Sequence, residues 1–212
     1  AQKSIDAGIA GSAQLIDISD ADWLAPNPKA SKIIGCAVNN NRLNSVAYRP
    51  MKSPMFFTKG RSALTGHNKP IEILGRHGRT IPEPEPVAVF KSTAKNVAPE
   101  NILDHVFGYT MTNDEVKDPN NLHVKGYIDG ELYADDSTSN YFFKVEQVLA
   151  EASIWFTMEP GDCIHTGTAV AGTEKFPKGN LGVDLRQFSV TDVEIDGLGR
   201  LSNPIAAEPA ER

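Results

Sequence analysis

Glu83 and Glu85 are separated by a single proline and run directly into the apolar stretch Pro86-Val87-Ala88-Val89-Phe90. In an extended chain side chains alternate faces with a period of two, so the two carboxylates project to the same side. Held that close they repel, and they share a site comfortably when a cation lies between them or when one is protonated. A third acid, Asp114, follows in Asn113-Asp114, beyond a stretch of helical character. Carboxylates alone, with no histidine or thiolate beside them, suit a hard divalent ion, magnesium or manganese or calcium, over zinc. Glu-Pro-Glu also occurs in proline-rich connectors whose charges simply stay wet. The β-branched run that follows at once favours a strand entrance, where Pro84 and Pro86 remove no needed ladder donor.

Other residues with chemical potential lie at strand ends. Lys59 closes the strand candidate Pro54-Met55-Phe56-Phe57-Thr58-Lys59, either as a solvated lysine or as a cation aimed at an anionic substrate. Pro160-Gly161-Asp162-Cys163-Ile164-His165-Thr166-Gly167-Thr168 reads as a turn, a strand and a small-residue corner. At that corner Gly167 permits close approach of a ligand to the backbone and Thr168 offers a hydroxyl; a tight bend without ligand explains the same residues equally well. The five histidines are scattered singly. His67 and His77 are weak candidates for substrate contact, and His105 reads as a surface or half-buried helix residue. Neither a serine-histidine-aspartate order nor a phosphate-binding loop is present.

The elements that must position these groups are short. Lys32 to Val38 is a buried strand emptying into Asn39-Asn40-Asn41, and Pro70 to Ile73 is a further strand. Pro99 opens a helix with Ile102, Leu103 and Val106 on one face and Gly108 at its stop. A second helix spans Tyr141 to Ser153, with Phe142, Val145, Leu149 and Ala152 on one stripe. Asp129-Gly130 and Asp196-Gly197-Leu198-Gly199 mark hairpins, and the Ala/Glu/Pro tail reads as frayed. Ile16-Asp17-Ile18 is a short strand candidate within a polar lead-in, residues 1–31, which Trp23 and Leu24 anchor onto the body; residues 32–212 form the main domain.

The 212 residues, 40% of them hydrophobic, suffice for one sizeable core. A formal charge of −6 and a pI near 5.4 argue against nucleic acid as the main partner. The apolar runs are too short for a membrane span and the N-terminus lacks a signal-peptide layout. Cys36 and Cys163 belong to no paired motif, which suits a reducing, cytoplasmic setting and neither zinc nor disulfides.

Taken in order, Lys32-Ile33-Ile34-Gly35, Phe56-Phe57-Thr58-Lys59, Glu83-Pro84-Glu85, Gly108-Tyr109-Thr110-Met111-Thr112-Asn113-Asp114, Pro160-Gly161-Asp162, Thr166-Gly167-Thr168 and Gly197-Leu198-Gly199-Arg200-Leu201-Ser202-Asn203-Pro204 resemble the fumarylacetoacetate hydrolase superfamily. The resemblance runs from about Lys32 to Ile205. It implies a β-rich α+β fold, a roll of mixed sheet with a few short helices, usually dimeric. It implies magnesium or manganese held by Glu83, Glu85 and Asp114, with Lys59 close to the metal and Thr168, beside Gly167, on a substrate oxygen. Members of the family hydrolyse or cleave carbon-carbon bonds, decarboxylate, isomerise or hydrate 2-oxo and β-dicarbonyl acids. Hydrolase or lyase chemistry on a carbon-carbon bond of a 2-oxo dicarboxylic or β-diketo acid is the leading expectation, isomerisation of an oxo-diene acid or decarboxylation of an oxo acid the alternative, and a catalytically degenerate binding protein the rival of another class.

Two departures bear on that expectation. Leu43 and Val46 stand where many family hydrolases carry a histidine and a glutamate as general base, leaving Arg42 as a substrate-binding candidate. After Asp118 the family's long lysine-bearing lid is missing and Pro119-Asn120-Asn121-Leu122 follows at once. Either the lid is deleted or it is a mobile loop absent from this sequence, and the mobility of lids favours the second. The stretch from about Asn44 to Lys52 invites the same question.

Overall fold

The computed structural model describes residues 21–25, 27–43, 51–110 and 118–209. Among the described residues ten strands form two five-stranded sheets. The first holds β1 (Ile33–Ala37), β2 (Met55–Lys59), β4 (Val87–Phe90), β5 (Val106–Thr110) and β8 (Cys163–His165), in the order β2-β1-β8-β4-β5. The second holds β3 (Ile71–Ile73), β6 (His123–Ile128), β7 (Glu131–Ser137), β9 (Val190–Ile195) and β10 (Gly199–Ala207), in the order β3-β10-β9-β6-β7. β1 runs parallel to β8 and β3 parallel to β10; every other pairing is antiparallel. This is the mixed, β-rich roll with few short helices that the family resemblance implies.

Strand alternation divides the first sheet into two faces. Ile34, Cys36, Ala88, Phe90 and Ile164 point one way and form a core with α2 (Val145–Trp155), through Val148, Leu149 and Ala152, and with Ile102 of α1 (Pro99–Ile102). Each fully buried isoleucine or leucine there contributes about 2 kcal/mol of transfer free energy. The opposite face carries Gly35, Phe57, Val87 and His165 in one row across four strands. The second sheet closes over two smaller clusters, one around Tyr133, Ile128 and Leu185, the other around Val124, Ile195 and Leu198.

Both hairpins form where the sequence placed them. Asp129 and Gly130 take positive φ values of 46° and 82°, and the Asp129 carboxylate accepts from the amides of Ser189 and Val190, so the first hairpin is tied to the second. Four expectations are corrected. α1 stops at Ile102 and passes through a 3-10 turn, Leu103–His105, into β5, so Val106 and Gly108 are strand residues and not the face and stop of a helix. α2 begins at Val145 because Tyr141 and Phe143 are drawn into contacts of their own with Gly167 and Asn39. The tail continues β10 to Ala207, and Glu208 donates its amide to Ile73 O and accepts from Gly75 N. Trp23 seats its carbonyl against Gly66 and its ring edge-on to His67, whereas Leu24 is 66% exposed and anchors nothing. The Ile16-Ile18 strand candidate lies outside the described residues. Among the described residues no helix is long and apolar enough to cross a membrane.

Candidate active site

The Glu83-Pro84-Glu85-Pro86 segment is held by its carbonyls, since prolines donate nothing. Pro86 O accepts from both the amide and the hydroxyl of Thr166 at 3.2 Å, and Pro84 O accepts from Ala169 N at 3.0 Å. The segment therefore prolongs β4 alongside the residues that follow β8. Val87 pairs with His165 in that ladder, so Glu85, two residues before Val87, shares the face of His165.

Glu85 is the buried member of the pair, its side chain 8% exposed. Among the described residues its Oε2 is fully buried and accepts no hydrogen bond, although His165 Nδ1 lies 3.2 Å away. Glu83 stands at the exposed rim, yet enough protein surrounds it that desolvation, and then the Glu85 charge, push its carboxyl above the ordinary range. Lys59 and His165 are near enough to pull it the other way. Lys59 ends β2 with its Nζ 5.7 Å from the centre of the Phe57 ring. Glu83, Glu85 and Lys59 are thus brought together, while Asp114 lies outside the described residues.

Two sequence premises change here. A histidine does stand beside the glutamates, because β8 delivers His165 to them from 80 residues downstream. The Cys36 thiol is also close, raised to about 12 by burial first and the Glu85 charge second, which leaves it protonated and unreactive. The signal for His165 lay in the strand pairing, which no single stretch of sequence displays.

A clamp of buried polar residues fixes the loop after β8. Asn39 Nδ2 donates to Thr166 O at 2.7 Å and to Phe143 O at 3.0 Å, and its Oδ1 accepts from Phe143 N. Asn40 Nδ2 donates to Thr168 O and to the Asp136 carboxylate, each at 3.0 Å, and the Tyr141 hydroxyl donates to Gly167 O. Gly167 has φ 135°, and a Cβ there would fall 2.8 Å from Asn39 O. On that side the protein itself fills the space left by the missing side chain. Thr168, buried, reaches Pro84 O only at 3.4 Å, a weakly held hydroxyl.

Arg42 is 58% exposed, its Nε 3.8 Å from Asp136 Oδ1. With Leu43, Val170, Ala171 and Lys178 it lines an open cleft of about 300 Å³. His67 Nδ1 accepts from Ser202 N and His105 Nδ1 pairs with Ser92 Oγ, structural uses for both rings. Val46 lies outside the described residues, as does most of the Asn44 to Lys52 stretch.

Among the described residues no three histidine, cysteine, aspartate or glutamate side chains converge tightly enough to hold a metal by themselves. The donors present nevertheless fit a divalent ion. A buried carboxylate oxygen without a hydrogen-bond partner is a costly group, and a cation satisfies it directly. Glu83 supplies a second carboxylate on the same face.

Two mixed sheets in a roll carry paired glutamates at the start of β4 and a polar-clamped Thr-Gly-Thr loop across from them. The fumarylacetoacetate hydrolase C-terminal family model matches residues 32–116 and 111–206, and the chain belongs to that family. The two matched pieces meet at residues 111–116, just before the position where the family lid was expected.

The mitochondrial oxaloacetate tautomerase of Xenopus laevis is 29% identical over 228 residues, covering 90% of this chain and 70% of the relative. The Escherichia coli 4-hydroxyphenylacetate degradation bifunctional isomerase/decarboxylase is 29% identical over 203 residues, 78% of this chain and 44% of that longer protein. Among solved structures, maleylpyruvate hydrolase from Sphingobium sp. SYK-6, in complex with manganese(II) and pyruvate, superposes with a TM-score of 0.78 at 25% identity, over 97% of this chain and 81% of that one. The relatives are enzymes that share this fold and differ in reaction.

Proposed function

We propose that this chain is a divalent-metal-dependent enzyme acting on a small 2-oxo dicarboxylic or β-diketo acid through an enolate of the substrate. The observation that carries the reading is the Glu85 carboxylate, buried without a hydrogen-bond partner among the described residues and flanked by a second carboxylate. Glu83, Glu85 and Asp114 would hold magnesium or manganese; the manganese in the maleylpyruvate hydrolase complex supports a divalent ion in this fold. Bound there, the ion supplies Lewis acidity to a carbonyl and to the charge that develops on it.

The chain's own groups bind and orient. Lys59 places an ammonium at the rim, facing the carboxylates that an anionic substrate must approach. The Thr168 hydroxyl, poorly satisfied by Pro84 O, is free to turn toward a substrate oxygen beside Gly167. Arg42, largely exposed, offers a second cation for a distal carboxylate. In the same reading the enzyme works as a cytoplasmic homodimer with neither nucleic-acid nor membrane partners.

Carbon-carbon cleavage by hydrolase or lyase chemistry is the first reaction assigned, with decarboxylation of an oxo acid an alternative. A second reading, tautomerisation or isomerisation, is favoured by Leu43, an apolar residue where a water-activating base would stand. Proton shifts need an enolate and no activated water. The names of the Xenopus and E. coli relatives support that arm.

The test is turnover of oxaloacetate and of an acylpyruvate with magnesium or manganese, in the wild type and in Glu85→Ala. Turnover is expected to require metal and to vanish with Glu85. Activity that survives both chelation and the substitution refutes the proposal. Tight oxalate binding with no turnover of any oxo acid would assign a binding protein instead.

A further inference from the structure

We infer that His165 is a nitrogen donor to the cation held by Glu85, making the centre a mixed nitrogen and oxygen site that prefers manganese and later first-row divalent ions over magnesium. The inference rests on the metal-centre reading above and adds a ligand to it.

The placement comes from strand pairing. His165 is the last residue of β8 and is paired on one side with Val87 of β4 and on the other with Gly35 of β1. Gly35 has no side chain, and the Phe57 ring lies over it so closely that a Cβ would fall 2.2 Å from Phe57 Cζ. The β1 side of the imidazole is therefore flanked by an aromatic ring, while the β4 side leads to Glu85. The imidazole side chain is 21% exposed, open enough for exchange of ions and water.

Distance and satisfaction together distinguish a shared cation from a simple pair. Nδ1 and Glu85 Oε2 are 3.2 Å apart, yet Oε2 has no hydrogen-bond partner among the described residues, so the ring N–H direction does not meet it. Two donors bound cis to one octahedral ion at about 2.1 Å stand about 3.0 Å apart. The two atoms are already separated as neighbouring ligands are, without being bonded to each other. Imidazole nitrogen suits iron, nickel, copper and zinc best, and manganese, at the weak end of that order, still accepts it more readily than magnesium, which favours oxygen and keeps its water. An all-carboxylate centre would not discriminate in that way.

The experiment loads the full chain, carrying ¹⁵N-labelled histidine, with manganese and records pulsed electron paramagnetic resonance. Histidine nitrogen coupling to manganese is expected in the wild type and is lost in His165→Ala. In the same variant, manganese affinity measured by calorimetry is expected to fall about tenfold or more, and magnesium affinity to stay within about twofold. Manganese-loaded wild type without histidine coupling overturns the inference, whether or not the variant folds. Equal losses for both ions overturn it too, because a histidine that only positions Glu85 would weaken every ion alike. Manganese binding that survives Glu85→Gln removes the metal-centre reading itself, and this inference with it. Glu85-dependent binding without nitrogen coupling removes the inference alone.

Discussion

The side-chain amide of Asn40 donates to the buried carboxylate of Asp136 at 3.0 Å, joining the end of β1 to the end of β7 beneath the loop after β8. The same carboxylate accepts from Val170 N, Ala171 N, Ser137 N and Asn140 Nδ2 at 2.7 to 3.1 Å. Burial alone would raise its pKa, but these donors outweigh burial and hold it below the ordinary range. Asp136 is thus a fixed anion around which the loop after β8 is shaped.

Replacing Asp136 with alanine strands several buried donors at once. A loss of about 3 kcal/mol in unfolding free energy is expected, measured by urea denaturation. Oxalate affinity should fall with it, because residues 168–171 lose their anchor. A loss below about 0.5 kcal/mol would show that water replaces the carboxylate without consequence.

Acid stability should report on Asp162. Its buried carboxylate accepts from Ser31 Oγ, Lys32 N and Glu159 N at 2.8 Å and pairs with Lys32 Nζ at 2.9 Å. Burial pushes its pKa up, yet the Lys32 ammonium and the other donors bring the net value below the ordinary one. A carboxylate depressed in the folded state contributes stability that is complete above its unfolded pKa, about 3.9, and is lost as pH falls through the folded value. Wild-type unfolding free energy is therefore expected to drop as pH falls below about 4, with a shallower drop in Asp162→Asn. Parallel curves for the two proteins would remove Asp162 from the account.

Much of this arrangement was legible in the sequence because it is local. Alternation and turn residues mark β1, β2, β4 and the two hairpins, and period two puts Glu83 and Glu85 on one face. What escaped depends on pairing between distant segments. Nothing around His165 announces that β8 lies beside β4, and Asn39 and Asn40 look like loop residues until Thr166 and Thr168 are laid across from them. α2 starts later than its stripe suggests for a related reason: Tyr141, just before Phe142 of that stripe, has its hydroxyl taken by Gly167 O, and Phe143 N donates to Asn39. Tertiary partners overrode local propensity at both places.

Gly167 offers a test of the clamp that does not involve charge. With φ at 135°, alanine is strained whatever space surrounds it, and its Cβ would press on Asn39 O at 2.8 Å. Gly167→Ala is expected to destabilise the fold by about 2 kcal/mol, seen as a lower thermal midpoint, and to weaken oxalate binding. An unchanged midpoint would mean that the loop accommodates the new methyl by moving, and that the Asn39 contact is not rigid.

Glu85 should reveal a trade between stability and binding. A buried carboxylate oxygen that accepts no hydrogen bond among the described residues destabilises the metal-free protein. Glu85→Gln keeps the shape and removes the charge, so the metal-free variant is expected to be as stable as the wild type or more stable, by up to about 2 kcal/mol. Metal reverses the order. At a hundred times its dissociation constant, manganese should stabilise the wild type by about 2.7 kcal/mol and leave the variant unmoved. Thermal melts of both proteins, with chelator and with manganese, separate the possibilities. A metal-free variant that melts well below the wild type would show that Glu85 already serves the fold, and the case for a cation at this carboxylate would lose its physical basis.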